Sequence, residues 1–362
     1  MPRIIAFYLP QYHPTPDNDK WWGKGFTEWT NVGKAKPLFR GHYQPKVPAD
    51  LGYYDLRIPE VREEQAKYAK EAGIEGFCYY HYWFGNGKQE LEMPFKEVVR
   101  TQKPDFPFCL CWANESWHSK FWNNEGSVYS KKLLIEQRYF GQKDNIEHFF
   151  SLLPAFKDSR YMTYNGKLIF MIYKPFDFPK VSDFMSDWRK LAKDNKISGF
   201  HFIAHIDSEQ DIEKAKSLGF DAVNIVRLWH PFVKRSMFVR MKQKVMKVLF
   251  GIPKMLSYKD SYRHFIGDES LREDVYPTII PNWDHSPRSG KNGYVLNGCT
   301  PELFGKHLDD VFQQGVHKPD NVNIVFLKSW NEWGEGNYME PDLKWGKQYI
   351  EMLNKKLIDF KY

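Results

Sequence analysis

Eight runs of apolar, β-branched and aromatic residues recur along the chain: Ile4–Tyr8, Gly76–Trp83, Phe106–Trp112, Leu168–Tyr173, Gly199–His205, Ala222–Val226, Tyr276–Trp283 and Asn323–Trp330. Most are continuous rather than alternating, the pattern of strands covered on both faces in a parallel sheet. Helix-period segments lie between them at Pro59–Ala72, Leu91–Thr101, Asn145–Phe156, Val181–Asp194, Ile212–Leu218 and Pro301–Gln314, and Trp345–Leu357 follows the last run. This is the rhythm of βα units. Eight such units predict an α/β fold closed as a (β/α)8 TIM barrel. An open doubly wound sheet is the rival, but no GxGxxG follows the first strand. No linker, repeat or low-complexity tract interrupts the pattern, so residues 1–362 are expected to form a single catalytic barrel domain. Two connections are long, after strands 1 and 6: Pro10–Pro59 and Arg227–Asp274. Long connections in a compact domain often carry function.

The ends of the runs hold the polar and aromatic residues. Tyr8 precedes Gln11 and His13; His81 and Trp83 close the second run; Trp112, Asn114 and Glu115 follow the third. Tyr173, His205, the pair Trp283 and Asp284, and the triplet Trp330, Asn331 and Glu332 end later ones. In a barrel all these ends meet at one mouth, where active sites are built. One such end alone reads as an ordinary loop; seven together read as a site.

Composition sharpens the substrate class. The chain has 13 Trp and 21 Tyr, many beside Asn, Gln, Glu or His, a mixture that suits sugars: a ring covers the apolar face and polar neighbours bond the hydroxyls. An oligosaccharide or polysaccharide is therefore the expected partner. The net charge of +7 is interspersed and no nucleic-acid module is recognisable, so nucleic acid is not expected. Four cysteines, Cys78, Cys109, Cys111 and Cys299, show no CxxC or zinc spacing, and Cys109 and Cys111 read as reduced core residues on one side of a strand. No metal and no cofactor is expected: there is no phosphate loop, and no Asp-x-Asp motif for a metal-bound nucleotide sugar follows an apolar strand. The opening residues do not read as a signal peptide and no run is apolar enough to span a bilayer, which predicts a cytoplasmic protein.

The densest candidate for chemistry is Ser329–Pro341, where Glu332 and Glu335 stand three residues apart just past an apolar strand. A turn there puts both carboxylates on one side. Glycosyl transfer needs such a pair, one carboxyl to protonate the leaving oxygen and one as nucleophile or base. Trp330 and Trp333 could desolvate one of them and raise its pKa. Solvated glutamates on a surface loop are the plainer alternative. Glu115 reads as a third carboxylate of the site, a sugar-hydroxyl acceptor, or a structural partner of a nearby cation. Glu28, flanked by Trp22, Phe26 and Trp29, divides evenly between sugar contact and loop packing. In the run Tyr79–Trp83 alternate members must be core, and His81 with its same-face neighbours is taken as the ligand side. The stretch Lys234–Lys247 interleaves basic and apolar residues. Packing on the core as an inserted amphipathic helix is the favoured reading, and weak contact with an anionic membrane surface or a lipid-linked glycan is the alternative.

At these motifs the chain resembles the WbsX-type proteins. The resemblance is carried by Phe7–His13, Trp21–Asn31, Gly76–Phe84, Cys111–Glu115 and Trp330–Gly336, and covers nearly the whole length. WbsX-type proteins are commonly described as glycosyltransferases of bacterial surface-polysaccharide (lipopolysaccharide O-antigen or capsule) biosynthesis. They are similar to glycoside hydrolase family 99, the (β/α)8-barrel endo-α-mannosidases and endo-α-mannanases, whose two glutamates Glu332 and Glu335 match. The resemblance implies retention without an enzyme-linked sugar. Glu332 would take the proton of the 2-hydroxyl, the freed oxygen would close a 1,2-anhydro sugar, and Glu335 would act as acid and then base. It suits α-mannose or α-rhamnose, whose 2-oxygen lies opposite the leaving group. The chain departs from the hydrolases at Gly334, where they carry His. A retaining hydrolase or transglycosidase is thus the first expectation, a biosynthetic glycosyltransferase the second, and an inactive glycan-binding barrel the third.

Overall fold

The computed structural model describes residues 1–119, 132–320 and 322–360. The eight apolar runs become β1 (Arg3–Tyr8), β2 (Gly76–Trp83), β3 (Phe108–Trp112), β4 (Lys167–Ile172), β5 (Phe200–Ile206), β6 (Ala222–Ile225), β7 (Val275–Ile279) and β8 (Ile324–Leu327). Each pairs in parallel with the next, and β8 closes on β1 through Arg3↔Ile324 to Ala6↔Leu327. The result is the TIM barrel that the pattern predicts, with helices outside and the strands' C-terminal ends at one mouth. Helices Pro59–Glu71, Met93–Thr101, Gln142–Phe156, Val181–Asp194, Ile212–Ser217, Pro301–Gly315 and Gln348–Asp359 cover the strands. Local chemistry sets their ends: Thr300 accepts from the Leu303 amide and Pro301 fills the first helical position.

Side chains alternate between barrel and helices along each strand, and the phase decides what reaches the mouth. On β2, Tyr79 packs on Phe95 and His81 on His148, both of the helical layer, so Cys78, Tyr80 and Tyr82 point inward. Phe7 stacks on Tyr80 and Phe326 and meets His205 edge-on, forming an aromatic layer across the barrel. Cys78, Cys109 and Cys111 are buried free thiols, the last two on alternate positions as expected.

The long connection after β6 builds an annex on the mouth side. Val226, Leu228, Phe232, Tyr258, Tyr262, Phe265, Ile280, Trp283 and Leu296 form a second apolar cluster there. A small parallel pair, Lys254–Ser257 with Tyr294–Asn297, joins the loops after β6 and β7. Within it, helix Met237–Phe250 is capped by Ser236 and ended by Gly251 in the left-handed region, φ 66°. The expectation that this stretch packs on the core is overturned: the helix has no buried residue, because its apolar stripe faces away from the barrel.

Candidate active site

Beyond β8 the chain forms a tight hairpin in which Asn331–Glu332 pairs antiparallel with Asn337–Tyr338 around the turn Trp333–Glu335. Gly336 closes the turn at φ 54°, where a Cβ would lie 2.7 Å from both the Asp284 Cβ and the Lys46 Nζ. Buried polar bonds hold the hairpin to the barrel. The Asn331 amide donates to the Leu9 carbonyl (3.0 Å) and accepts from the Leu9 N–H (2.8 Å). The Tyr12 hydroxyl donates to the Asn331 carbonyl (2.5 Å) and accepts from the Trp333 N–H (3.0 Å). Trp333 stacks on Tyr338 and gives its indole N–H to Glu340. So Asn331 and Trp333 fix where Glu332 and Glu335 point.

Both glutamates open into a cleft of about 430 Å³ at the barrel mouth. Its lining includes Leu9, Gln11, Trp22, Phe26, Glu28, Tyr80, Tyr82, Glu115, Trp117, Tyr173, Arg288 and Lys328. Tyr82 meets Trp117 edge-on and Trp22 lies against Phe26, so rings wall much of the space. Arg288, on the short helix Ser286–Ser289 after β7, joins the charges. Its Nε donates to Glu28 Oε2 at 2.9 Å, and its Nη1 lies 2.6 Å from Glu335 Oε1 and 3.3 Å from Glu332 Oε1. His285 Nε2 stands 3.4 Å from the same Glu335 oxygen, and Lys328 Nζ stands 3.9 Å from Glu332 Oε2.

These contacts divide the pair electrostatically. Burial raises the Glu332 carboxyl to about 7, the Glu335 charge adds to this, and the positive Lys328 and Arg288 only partly oppose it. Its Oε2 is buried without a hydrogen-bond partner. For Glu335 burial also acts upward, but the Arg288 charge and the His285 contact outweigh it and hold the carboxyl well below its ordinary range. Near neutral pH Glu332 therefore exchanges its proton readily, whereas Arg288 and His285 favour the charged form of Glu335. Burial, the Glu332 charge and neighbouring groups raise the Tyr80 and Tyr82 hydroxyls well above the usual value, so both stay neutral donors.

Gly334 has a physical reason here. A Cβ at this position would stand 1.8 Å from Glu28 Oε2 and 2.9 Å from Arg288 Nε. The Glu28–Arg288 ion pair fills the space a side chain would take.

Of the residues the sequence nominates, Gln11, Trp22, Glu28, Glu115, Tyr173, Glu332 and Glu335 line this cleft. The others are placed elsewhere, each for a visible reason. Tyr8 points out to Gln65 on helix Pro59–Glu71, and Trp29 packs under Trp333 with its indole N–H on the Tyr54 carbonyl. His13 is buried off the cleft. His81, Trp83 and Trp112 lie on the outward phase of their strands, around His148. The nomination of His81 is therefore corrected: its neighbours Tyr80 and Tyr82 face the cleft. Asn114 bonds the Lys174 backbone and Tyr139. His205 lies below the floor, stacked on Tyr173 and bonded to Asn224. Trp283 lies under Lys328, and Trp330 packs against Phe77. Asp284, with its carboxyl lowered to about 2 because His42 and Lys46 outweigh burial, faces a neighbouring hollow and bonds His42 and Gln44. Arg288, His285 and Lys328 went unnominated. The signal for Arg288 was indirect: three carboxylates drawn together out of water require a cation. Among the described residues, no three His, Cys, Asp or Glu side chains are grouped to hold a metal ion.

Fold and site together define a TIM barrel with a carboxylate-lined, aromatic-walled cleft at the strand ends. The family described as Glycosyltransferase WbsX matches residues 4–353, and the chain belongs to that family. It is 34% identical over 356 residues to the uncharacterized protein WxcX of Xanthomonas campestris pv. campestris, covering 98% of this chain and 49% of that protein. The chain thus spans about half the length of the curated relatives it matches. Among solved structures, a GH99 endo-α-mannosidase from Bacteroides thetaiotaomicron aligns with TM-score 0.56 at 13% identity, over 99% of this chain and 97% of that one. A glycoside hydrolase-like protein aligns with TM-score 0.60 at 14% identity, over 98% and 93%. At these identities the structural likeness shows the shared barrel.

Proposed function

We propose that this protein cleaves or transfers α-linked glycans of manno configuration, mannose or rhamnose, with retention at C1, using Glu332 and Glu335. The observation that carries this reading is the convergence of both carboxylates on one Arg288 nitrogen, at 3.3 and 2.6 Å. Two oxygens held this way cannot lie further apart than the sum of those distances. That is less than the roughly 6.5–9.5 Å an inverting pair keeps open for water.

In the proposed reaction Glu332, with its carboxyl raised to about 7, serves as a general base stronger than an ordinary carboxylate and well matched to neutral pH. Its unpartnered Oε2 accepts the proton of the sugar's 2-hydroxyl. The 2-oxygen attacks C1 from the face opposite the leaving group, and the C1–O bond breaks as Glu335 gives its proton to the departing oxygen. Water or an acceptor hydroxyl then adds to C1, losing its proton to Glu335, as the C1 bond to the 2-oxygen in the 1,2-anhydro ring breaks and the 2-oxygen recovers its proton from Glu332. Two inversions give net retention. Glu335 needs a proton for the first half, so Arg288 must withdraw from Oε1 when a glycan enters; Glu28, on its Nε, retains it. Tyr80, Tyr82 and Tyr173 offer neutral hydroxyls and ring faces to the sugar.

The family description favours a second reading, a biosynthetic glycosyltransferase of bacterial surface polysaccharide. Incubation with α-linked manno-oligosaccharides and with nucleotide sugars in parallel separates the two. Product from the oligosaccharide supports the first reading. Product only from the nucleotide donor reverses the order, and glycan binding without turnover in either arm refutes both.

A further inference from the structure

Helix Met237–Phe250 presents its apolar residues to the outside of the molecule. At about 100° per residue, Met237, Phe238, Met241, Val245, Val248 and Leu249 fall within roughly one third of its circumference. Met237 is 85% exposed, Val248 75%, Phe238 70% and Leu249 68%. The opposite side holds the helix to the annex, where Gln243 donates to the Met255 carbonyl at 2.6 Å and accepts from Arg235 at 2.6 Å. Arg240 and Lys244 border the apolar stripe on one edge and Lys242 on the other. Between Asp221 and Asp260 the sequence contains no acidic residue.

We infer that this helix docks the protein on an anionic lipid bilayer, lying in the plane of the interface. An apolar stripe bordered by cations, without intervening carboxylates, complements acyl chains below and anionic headgroups at either side. A second copy of the chain fits poorly: packing stripe on stripe would bring the Arg240, Lys244 and Lys242 rows together with no acid in the segment to pair them. The helix is short and charged, and among the described residues no helix is long and apolar enough to cross a membrane. Because the annex is built on the loops after β6 and β7, the docked face belongs to the mouth side of the barrel, the side that also carries Arg288.

The test is co-sedimentation of the full chain with vesicles of phosphatidylcholine alone and of phosphatidylcholine with phosphatidylglycerol, alongside two variants. One carries Met237→Ser, Phe238→Ser and Leu249→Ser; the other carries Arg240→Ser, Lys242→Ser and Lys244→Ser. All six side chains are exposed, and circular dichroism with size-exclusion chromatography checks fold and oligomeric state. The expected result is preference of the wild type for the anionic vesicles, release by salt, and a loss of at least about tenfold in partitioning for each variant. Equal capture by both vesicle types, binding unchanged in the variants, or a wild-type dimer that the Ser variant splits and that vesicles do not capture would each overturn it.

Discussion

Gly334→Ala isolates the arrangement on which the site rests. The backbone at Gly334 is not in the left-handed region, so replacing glycine by alanine there should, by backbone entropy alone, stabilise by about 0.4–1 kcal/mol. The structure reverses that sign. The new methyl would stand 1.8 Å from Glu28 Oε2, where ordinary contact begins near 3.4 Å, so the carboxylate must retreat by roughly 1.5 Å. That parts it from Arg288 Nε, now at 2.9 Å. Glu28 is only 4% exposed, and a buried ion pair broken on one side costs about 3–5 kcal/mol. Partial relaxation toward the cleft lowers this, leaving an expected net loss of about 2–3 kcal/mol. The assay is urea denaturation, reading a fall in midpoint at constant slope. A double-mutant cycle with Glu28→Ala supplies the control: with the carboxylate gone there is room for the methyl, and Gly334→Ala should cost less than about 0.5 kcal/mol. Equal cost in both backgrounds, or no cost in the wild type, would refute the reasoning.

Other expectations follow from the same charges. Arg288→Met should leave Glu28, Glu332 and Glu335 together without their guanidinium, destabilising the fold by about 3–5 kcal/mol at pH 8 and visibly less at pH 5, as denaturation at the two pH values would record. Burial lowers His307 to about 3, so it folds neutral while the unfolded chain takes up a proton below about 6.5. Its contribution is therefore present above pH 6.5 and lost as pH falls toward 3. In His307→Gln the slope of stability against pH in that window should flatten by about 1.4 kcal/mol per pH unit, measured by denaturant titration across pH 4–7. The acidic limb of kcat/KM should show an apparent pKa near 7, belonging to the carboxylate pair as a unit, in initial-rate profiles.

The barrel was legible in the sequence because each strand buries both faces and so writes a continuous apolar run; all eight runs became strands. Glu332 and Glu335 were legible because polar residues just past the C-terminal end of an apolar run stand out, and Glu28 only through its aromatic flank of Trp22, Phe26 and Trp29 in the long loop after β1. What a continuous run conceals is phase. With every residue of β2 buried, nothing in the composition says whether His81 or its neighbours Tyr80 and Tyr82 face inward, and a shift of one residue exchanges the two sets. The same shift explains Trp83 and Trp112. Arg288 was hidden for another reason: it lies 44 residues from Glu332 and 260 from Glu28, so only tertiary closure reveals the cluster. The amphipathic character of Met237–Phe250 was plain, but its direction depends on which side bonds the annex.

Glu332→Gln and Glu335→Gln, measured separately on an α-manno-configured oligosaccharide that the wild type turns over, test the central claim most directly. Each variant should keep its fold by circular dichroism and lose activity by about a thousandfold or more, since each removes a proton carrier the reaction needs. Wild-type turnover in either variant would contradict the two-carboxylate mechanism and leave Arg288 binding the pair for structural reasons alone.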